Sequence, residues 1–316
     1  MKALIVDSYG PPANAKLGTV KPPELKDGYV LVRLHGASVN PYDVKLISGQ
    51  LKDFAPIEFP YVPGMDGAGA IAGVGEGVEG YRIGDRVVGM FGEAPGTLAE
   101  FATIAGDDPK LAHIPDGLDF ERAAAIPEAG LTALTIVRAA DVHQDQRVLI
   151  IGATGGIGLF AIQLAKARGA FVIATAAAAD TGYVRTLGAD DVIDYAKHDP
   201  IAQMNERYPE GIDAVFDLID HDDKLIAAAG IIRRDGTLVS PLYGPEQSAF
   251  PEDVTVRYVM MNARPGDLAD LVNRVASGEL RVEIAEKYSF DNARHALGDL
   301  ADPRTHTRGK RVVSIP

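Results

Sequence analysis

The chain has 316 residues, 47% of them apolar, more than one hydrophobic core ordinarily serves, which predicts two domains. A net charge of −13 argues against a phosphate-binding nucleic-acid surface, and the absence of cysteine excludes disulfides, a redox thiol and any zinc site built on thiolates. The first residues, Met1-Lys-Ala-Leu-Ile-Val6, read as a strand and not as a secretory leader, and no apolar stretch nears the roughly twenty residues of a spanning helix, so a cytoplasmic protein without a membrane partner is expected.

Up to about Leu118 the pattern is of short β-branched runs at 3–6, 29–34, 70–74, 86–90 and 98–103, separated by Gly and Pro clusters. Such spacing predicts an irregular β-barrel or sandwich. After Pro115 helices and strands alternate: helices at 120–125 and 131–140, a strand at 147–151, a helix at 157–168, a strand at 171–174, a helix at 181–187, strands at 191–193 and 214–218, a helix at 224–231 and a strand at 237–240. Apolar strands separated by helices predict a parallel sheet covered on both faces. A strand near 254–261, helices at 268–277 and 292–300, and strands at 286–290 and 310–315 then return to the style of the first domain. The α/β unit thus reads as an insertion into a β domain that the C-terminus closes.

The strongest local signal is Val148-Leu-Ile-Ile-Gly152-Ala153-Thr154-Gly155-Gly156-Ile157-Gly158, a buried strand running through a glycine turn into a helix. Glycines let the backbone turn sharply and approach a pyrophosphate, whose charge meets the amide donors and the positive dipole end of the helix. The spacing, G-x-x-G-G-x-G, departs by one residue from the general dinucleotide fingerprint. At the end of the next strand, where an acidic residue would hold the ribose hydroxyls of NAD, stand Thr175 and Ala176. The missing carboxylate favours NADPH over NADH, although no Lys or Arg follows at once; Asp180, further on, reads as a helix cap.

Ordered motifs along nearly the whole chain resemble the zinc-independent, quinone oxidoreductase-like branch of the medium-chain dehydrogenase/reductase superfamily. They are Ala37-Ser-Val-Asn40-Pro-Tyr42-Asp43-Val-Lys45, Pro63-Gly-Met65-Asp66-Gly-Ala-Gly69, Gly84-Asp-Arg-Val87, Gly96-Thr-Leu-Ala-Glu-Phe101, Ala123-Ala-Ala-Ile-Pro127 with Leu131-Thr132-Ala133, the glycine loop, Gly188-Ala-Asp190-Asp-Val-Ile-Asp-Tyr195 and Gly309-Lys310. The resemblance implies an α/β protein in which a GroES-like β-rich catalytic domain (1–118 and 264–316) joins a doubly wound Rossmann domain (119–263), with the active site in the cleft between them. It places Thr132, Met260, Met261 and Asn262 at the nicotinamide, Tyr195 at the adenosine end and Lys310 near the cofactor. Asn40 and Met65 stand where zinc members carry ligands; with Glu128 as a lone carboxylate they make a poor zinc shell, so no metal is expected.

Asn40, Tyr42 and Asp43 form the candidate catalytic set. Each keeps a second reading: Asn40 as a cap of the turn before Pro41, Tyr42 as a surface ring in place of a proton donor, and Asp43 as a helix cap. None of His35, His113, His143, His198, His221, His295 and His306 shows paired-ligand spacing; His221 follows a sheet strand and reads as loop unless it faces the cofactor. No G-x-S-x-G elbow exists to serve a hydrolase.

The reading is therefore an NADPH-dependent reductase passing hydride to a quinone or an enone. Its alternatives are a non-catalytic NADPH-binding sensor and an alcohol dehydrogenase of the same fold. The family resemblance also implies a homodimer.

Overall fold

β-Branched runs broken by turn residues give β1 (Lys2–Ile5), β2 (Lys16–Thr19), β3 (Tyr29–Val39), β4 (Asp66–Val74), β5 (Arg86–Met90), β6 (Phe101–Ala105) and β7 (Leu111–His113), with helices α1 (Pro41–Ser48) and α2 (Phe120–Ala124). The structure, a computed structural model, describes every residue except Glu93, His198, Pro303, His306 and Thr307, so His198 and His306 lie outside the described residues. The chain divides into two compact units, Met1–Glu128 with Ala263–Pro316, and Ala129–Asn262. The first boundary falls at Glu128, where the change of sequence pattern suggests 118. The intervening α2 is capped by Asp119, whose carboxylate accepts from the Arg122 amide at 2.7 Å, and it buries Ala123 and Ala124. Its Phe120 ring lies under the Arg86 guanidinium of β5, which ties the helix to the first unit.

In the second unit, helix α3 (Pro127–Ala139) is followed by β8 (Arg147–Ile151), α4 (Gly156–Ala167), β9 (Phe171–Ala176), α5 (Thr181–Thr186), β10 (Asp191–Asp194), α6 (Pro200–Arg207), β11 (Ile212–Asp217), α7 (Asp222–Ala229), β12 (Ile232–Ser240) and β13 (Thr255–Tyr258). All six strands run parallel in the order β10-β9-β8-β11-β12-β13. Central strands of such a sheet are covered on both faces, which is why every residue of β11 is buried and why β8 is apolar from Val148 to Ile151. The order reverses between β8 and β11, and open α/β sheets bind ligands at the carboxyl ends of strands at that switch point.

The chain then returns to the first unit through α8 (Asp267–Ala276), β14 (Ile284–Ser289), α9 (Ala293–Ala301) and β15 (Lys310–Ser314). β15 runs antiparallel to β3, with Arg311 opposite Val39, and completes a mixed sheet ordered β14-β15-β3-β4-β5-β7, in which β6 also pairs with β3. Val30, Val32 and Leu34 alternate inward along β3 and join Leu4, Ile71, Val87, Phe91, Leu98 and Val313 in one core. Among the described residues no helix is long and apolar enough to cross a membrane.

Candidate active site

The glycine loop leaves β8 at Gly152, whose φ of +82° suits glycine and where an added Cβ would stand 2.9 Å from Ile219 Cγ2. A Cβ on Gly158 would lie 2.4 Å from the Gly152 carbonyl oxygen, so only hydrogen lets the first turn of α4 close on the end of β8. Gly155 occupies the N-cap position, and neither a side-chain cap nor an acidic residue meets the first turn. The amides there are left for an outside anion, favoured by the helix dipole. Thr154 to Ile157 are partly open to solvent, whereas Ala153 and Gly158 are buried.

Thr175 and Ala176 end β9, the neighbouring strand, and both are buried. The Thr175 hydroxyl accepts from the Gly152 amide at 3.3 Å and donates to the Ile150 carbonyl at 3.4 Å, bracing the loop from beside it. On the other side, Asp217 at the end of β11 accepts from the amides of Ile219 and Asp220 at 3.2 and 2.9 Å. Its buried Oδ2 has no partner, and burial pushes the carboxyl up to about 6. Elsewhere in this unit Thr132 is buried on α3, Tyr195 is exposed after β10, Met261 is half-buried and Asn262 is exposed. The Asn262 amide donates to Thr135 Oγ1 at 3.2 Å. His221 is exposed at the N-cap position of α7.

The other expected residues gather in the first unit. Strand register places Ser38 opposite Asp66 across β3 and β4, and Arg311 opposite Val39 across β15 and β3, which brings Lys310 beside Asn40. Asn40, Asp43 and Asp66 expose no more than 1% of their surface and Lys310 exposes 4%. Asp66 Oδ2 accepts from Asn40 Nδ2 at 2.9 Å and from Ser38 Oγ at 3.0 Å, and stands 3.7 Å from the Lys310 ammonium. Asp66 Oδ1 accepts the Glu128 amide at 3.0 Å. Lys310 Nζ donates to Asn40 Oδ1 and, at 3.5 Å, to the Val39 carbonyl. A buried charge is tolerated only with such company, and Asp66 has it.

The cap readings of Asn40 and Asp43 find a place in this arrangement. Asn40 is the N-cap of α1, and its own amide donates to Asp43 Oδ2 at 2.8 Å, while its side chain turns to Asp66 and Lys310. Asp43 Oδ1 has no partner, and burial pushes that carboxyl up to about 7, with Asp66 and Glu128 adding to the rise and Lys310 opposing it. The half-buried hydroxyl of Tyr42 is raised by burial and then by Asp43. Glu128, half-buried at the start of α3, is likewise pushed up to about 7 by burial against the pull of Lys310. Lys310, expected at the cofactor, holds its ammonium within this buried set. Ser38 and Asp66 escaped prediction; the signal available was a lone carboxylate flanked by Met65 and Gly67 in a buried strand.

A doubly wound parallel sheet opening on a glycine loop, together with a β-rich domain that holds a buried carboxylate–ammonium cluster, defines the two-domain class of dinucleotide-fold dehydrogenases and reductases. Residues 26–116 match the alcohol dehydrogenase GroES-like domain, and residues 156–264 match the zinc-binding dehydrogenase family. The chain is 35% identical to the quinone oxidoreductase of Sus scrofa, across 100% of this chain and 98% of that protein. It is 32% identical to the NADPH-dependent alkenal/one oxidoreductase of Arabidopsis thaliana chloroplasts, across 99% of this chain and 79% of that one. The structure of Escherichia coli quinone oxidoreductase complexed with NADPH superposes with a TM-score of 0.88 at 25% identity, covering 100% of both chains. The chain belongs to the quinone oxidoreductase-like branch of the medium-chain dehydrogenase/reductase superfamily.

Proposed function

We propose that the chain is an oxidoreductase that uses NADPH to reduce a quinone or a conjugated carbonyl without zinc. The observation that carries this reading is the cradle formed by Gly152 to Gly158, closed to any Cβ at Gly158 and backed by a β9 that ends without a carboxylate. Amides of the loop would hold the pyrophosphate, and Thr175, Ala176 and Tyr195 the adenosine end. Thr132, Met261 and Asn262 are the family's positions for the nicotinamide. The bound cofactor supplies the hydride. The Sus scrofa and Arabidopsis thaliana relatives, named for quinones and for alkenals and enones, support the substrate class, and the NADPH complex of the Escherichia coli protein supports the cofactor.

The reading without zinc rests on the donor set. Asn40 gives its carbonyl oxygen to the Lys310 ammonium and its amide to Asp66, so a metal there would face a fixed cation. Among the described residues no group of three or more His, Asp or Glu is placed to hold a metal ion. This poor fit favours a reductase over a zinc alcohol dehydrogenase. The test is titration of chelator-treated protein with NADPH and NADH by fluorescence, followed by NADPH absorbance decay with quinones and enones. Tighter binding of NADPH with turnover is expected. Binding without turnover would replace the reading with the sensor, and turnover that requires added zinc would replace it with the dehydrogenase. We expect a homodimer as well, for which β13, an end strand of the parallel sheet, offers a seam; sedimentation at two concentrations tests it.

A further inference from the structure

The first residue of the glycine loop is held from both neighbouring strands, and the two holds differ in kind. From β9 the Thr175 hydroxyl accepts the Gly152 amide at 3.3 Å. From β11 the contact is apolar. Asp217 stands beside Ile151 in strand register, and the Leu218 amide donates to the Ile151 carbonyl at 3.2 Å. The turn that follows lays its side chains on the loop: a Cβ on Gly152 would stand 2.9 Å from Ile219 Cγ2 and 3.3 Å from Leu218 Cβ. Ile219 exposes 58% of its surface, so burial in a core does not keep it there. The turn keeps it there, through one oxygen. Asp217 Oδ1 accepts the amides of both Ile219 and Asp220, at 3.2 and 2.9 Å, which fixes the backbone two and three residues on. The Asp217 side chain is wholly buried and its Oδ2 has no partner, an arrangement that costs stability and that an amide or an apolar side chain would avoid. The gain from this carboxylate is therefore local, in the turn it holds.

Resting on the NADPH reading, we propose that Asp217 is a positioning residue for dinucleotide binding. It fixes the turn at 218–220, the turn sets Ile219 against Gly152, and Gly152 in turn sets the loop amides that meet a pyrophosphate. The last link is short. Gly152 keeps a φ of +82°, its carbonyl accepts the Gly155 amide at 3.2 Å, and the same oxygen lies 2.4 Å from where a Cβ of Gly158 would stand. A shift at Gly152 thus reaches both later glycines of the loop. Thr175 restrains the amide of Gly152 and Ile219 its α-carbon, so the two strands together leave that residue little freedom. The carboxylate acts through Ile219 and Gly152 and not on the ligand.

The test uses the full-length protein carrying Asp217→Ala, Asp217→Asn or Ile219→Ala. In the cofactor-free state, amide hydrogen exchange read by mass spectrometry should quicken in Asp217→Ala at 152–158 and 218–220 and stay unchanged along β12 and β13, whereas a merely structural residue would loosen the whole unit. Binding is then followed by calorimetry. Loss of two hydrogen bonds to a charged acceptor is expected to weaken NADPH by roughly tenfold or more. Adenosine 2′-monophosphate, which has no pyrophosphate, should bind within about threefold of its affinity for the unaltered protein. Asp217→Asn keeps an acceptor for both amides and should hold NADPH within about threefold. Ile219→Ala, at an exposed position, should weaken NADPH as well, and the double variant should lose no more than the larger single loss, because both residues act through one contact. The Ile219→Ala and Asp217→Asn arms decide the matter if Asp217→Ala does not fold. Unchanged exchange at 152–158, unchanged NADPH affinity, equal losses for the two ligands or additive losses in the double variant would each overturn the proposal. Failure of the unaltered protein to bind NADPH would instead overturn the NADPH reading, and the exchange pattern would still decide whether Asp217 positions the loop.

Discussion

The glycine loop and the Asn40–Asp66–Lys310 cluster are built on opposite principles. The loop is backbone: a strand, a turn and a helix N-terminus contiguous in sequence, whose chemistry depends on side chains being absent at Gly152 and Gly158. The cluster is side chain, and its members are brought from residues 38 to 310 by two antiparallel registers and a helix start. A backbone site fails when something is added to it, whereas a charged side-chain site fails when something is taken away. That contrast orders the expected effects of substitution.

The largest belongs to the cluster. Lys310→Met leaves Asp66 as a buried carboxylate without its cation, a loss worth about 3–5 kcal/mol in denaturant unfolding at pH 8. Protonation of Asp66 should restore part of it, so the variant's deficit should shrink as pH falls. A deficit independent of pH would show that the ammonium acts by packing alone. In the loop, Gly158→Ala adds a Cβ 2.4 Å from the Gly152 oxygen and should weaken NADPH binding by roughly 100-fold, about 2.7 kcal/mol, with circular dichroism little changed. Affinity within a factor of three would detach the loop from the cofactor.

A third effect is read through pH. Asp43 is raised from 3.8 to about 7 on folding, so between those values the folded state holds a proton that the unfolded state has released. Stability from this group is therefore full below about pH 4, declines as pH rises toward 7 and is level above. Asp43→Asn, which keeps an acceptor for the Asn40 amide, should flatten that decline by about 4 kcal/mol; an unchanged slope would assign the titration elsewhere. The smallest effect is the brace. Thr175→Val removes two long hydrogen bonds at nearly constant volume and should cost about 1 kcal/mol of stability, measured by thermal unfolding, whereas a loss of several kcal/mol would make Thr175 a keystone of the unit.

The same contrast decides what sequence alone could reveal. The loop was legible because β8, Gly152 and α4 follow one another within a dozen residues, and the strand at 147–151 and the alternation around it correspond to observed elements. Helix α1 was hidden: Asn40-Pro41 reads as a turn, yet proline at the first helical position needs no amide partner, and the Asp43 carboxylate receives the Asn40 amide. β3 runs on to Val39 past the expected end at Leu34, alternation giving way to continuous burial from Gly36, and that extension carries Ser38 to Asp66. β12 begins at Ile232, ahead of the strand expected at 237–240. Pairing partners far apart in sequence override local pattern in each strand, and the cluster depends on those pairings.

The proposed reduction, by NADPH and without zinc, is tested most directly by isotope transfer. Chelator-treated protein is incubated with NADPH deuterated on one face of the nicotinamide ring and a conjugated enone, and the product is analysed by mass spectrometry with both label positions compared. One deuterium at the β-carbon of the saturated carbonyl, from one face only and without added zinc, is the predicted result. Unlabelled product from both cofactors, or label that appears only when zinc is restored, would contradict the account.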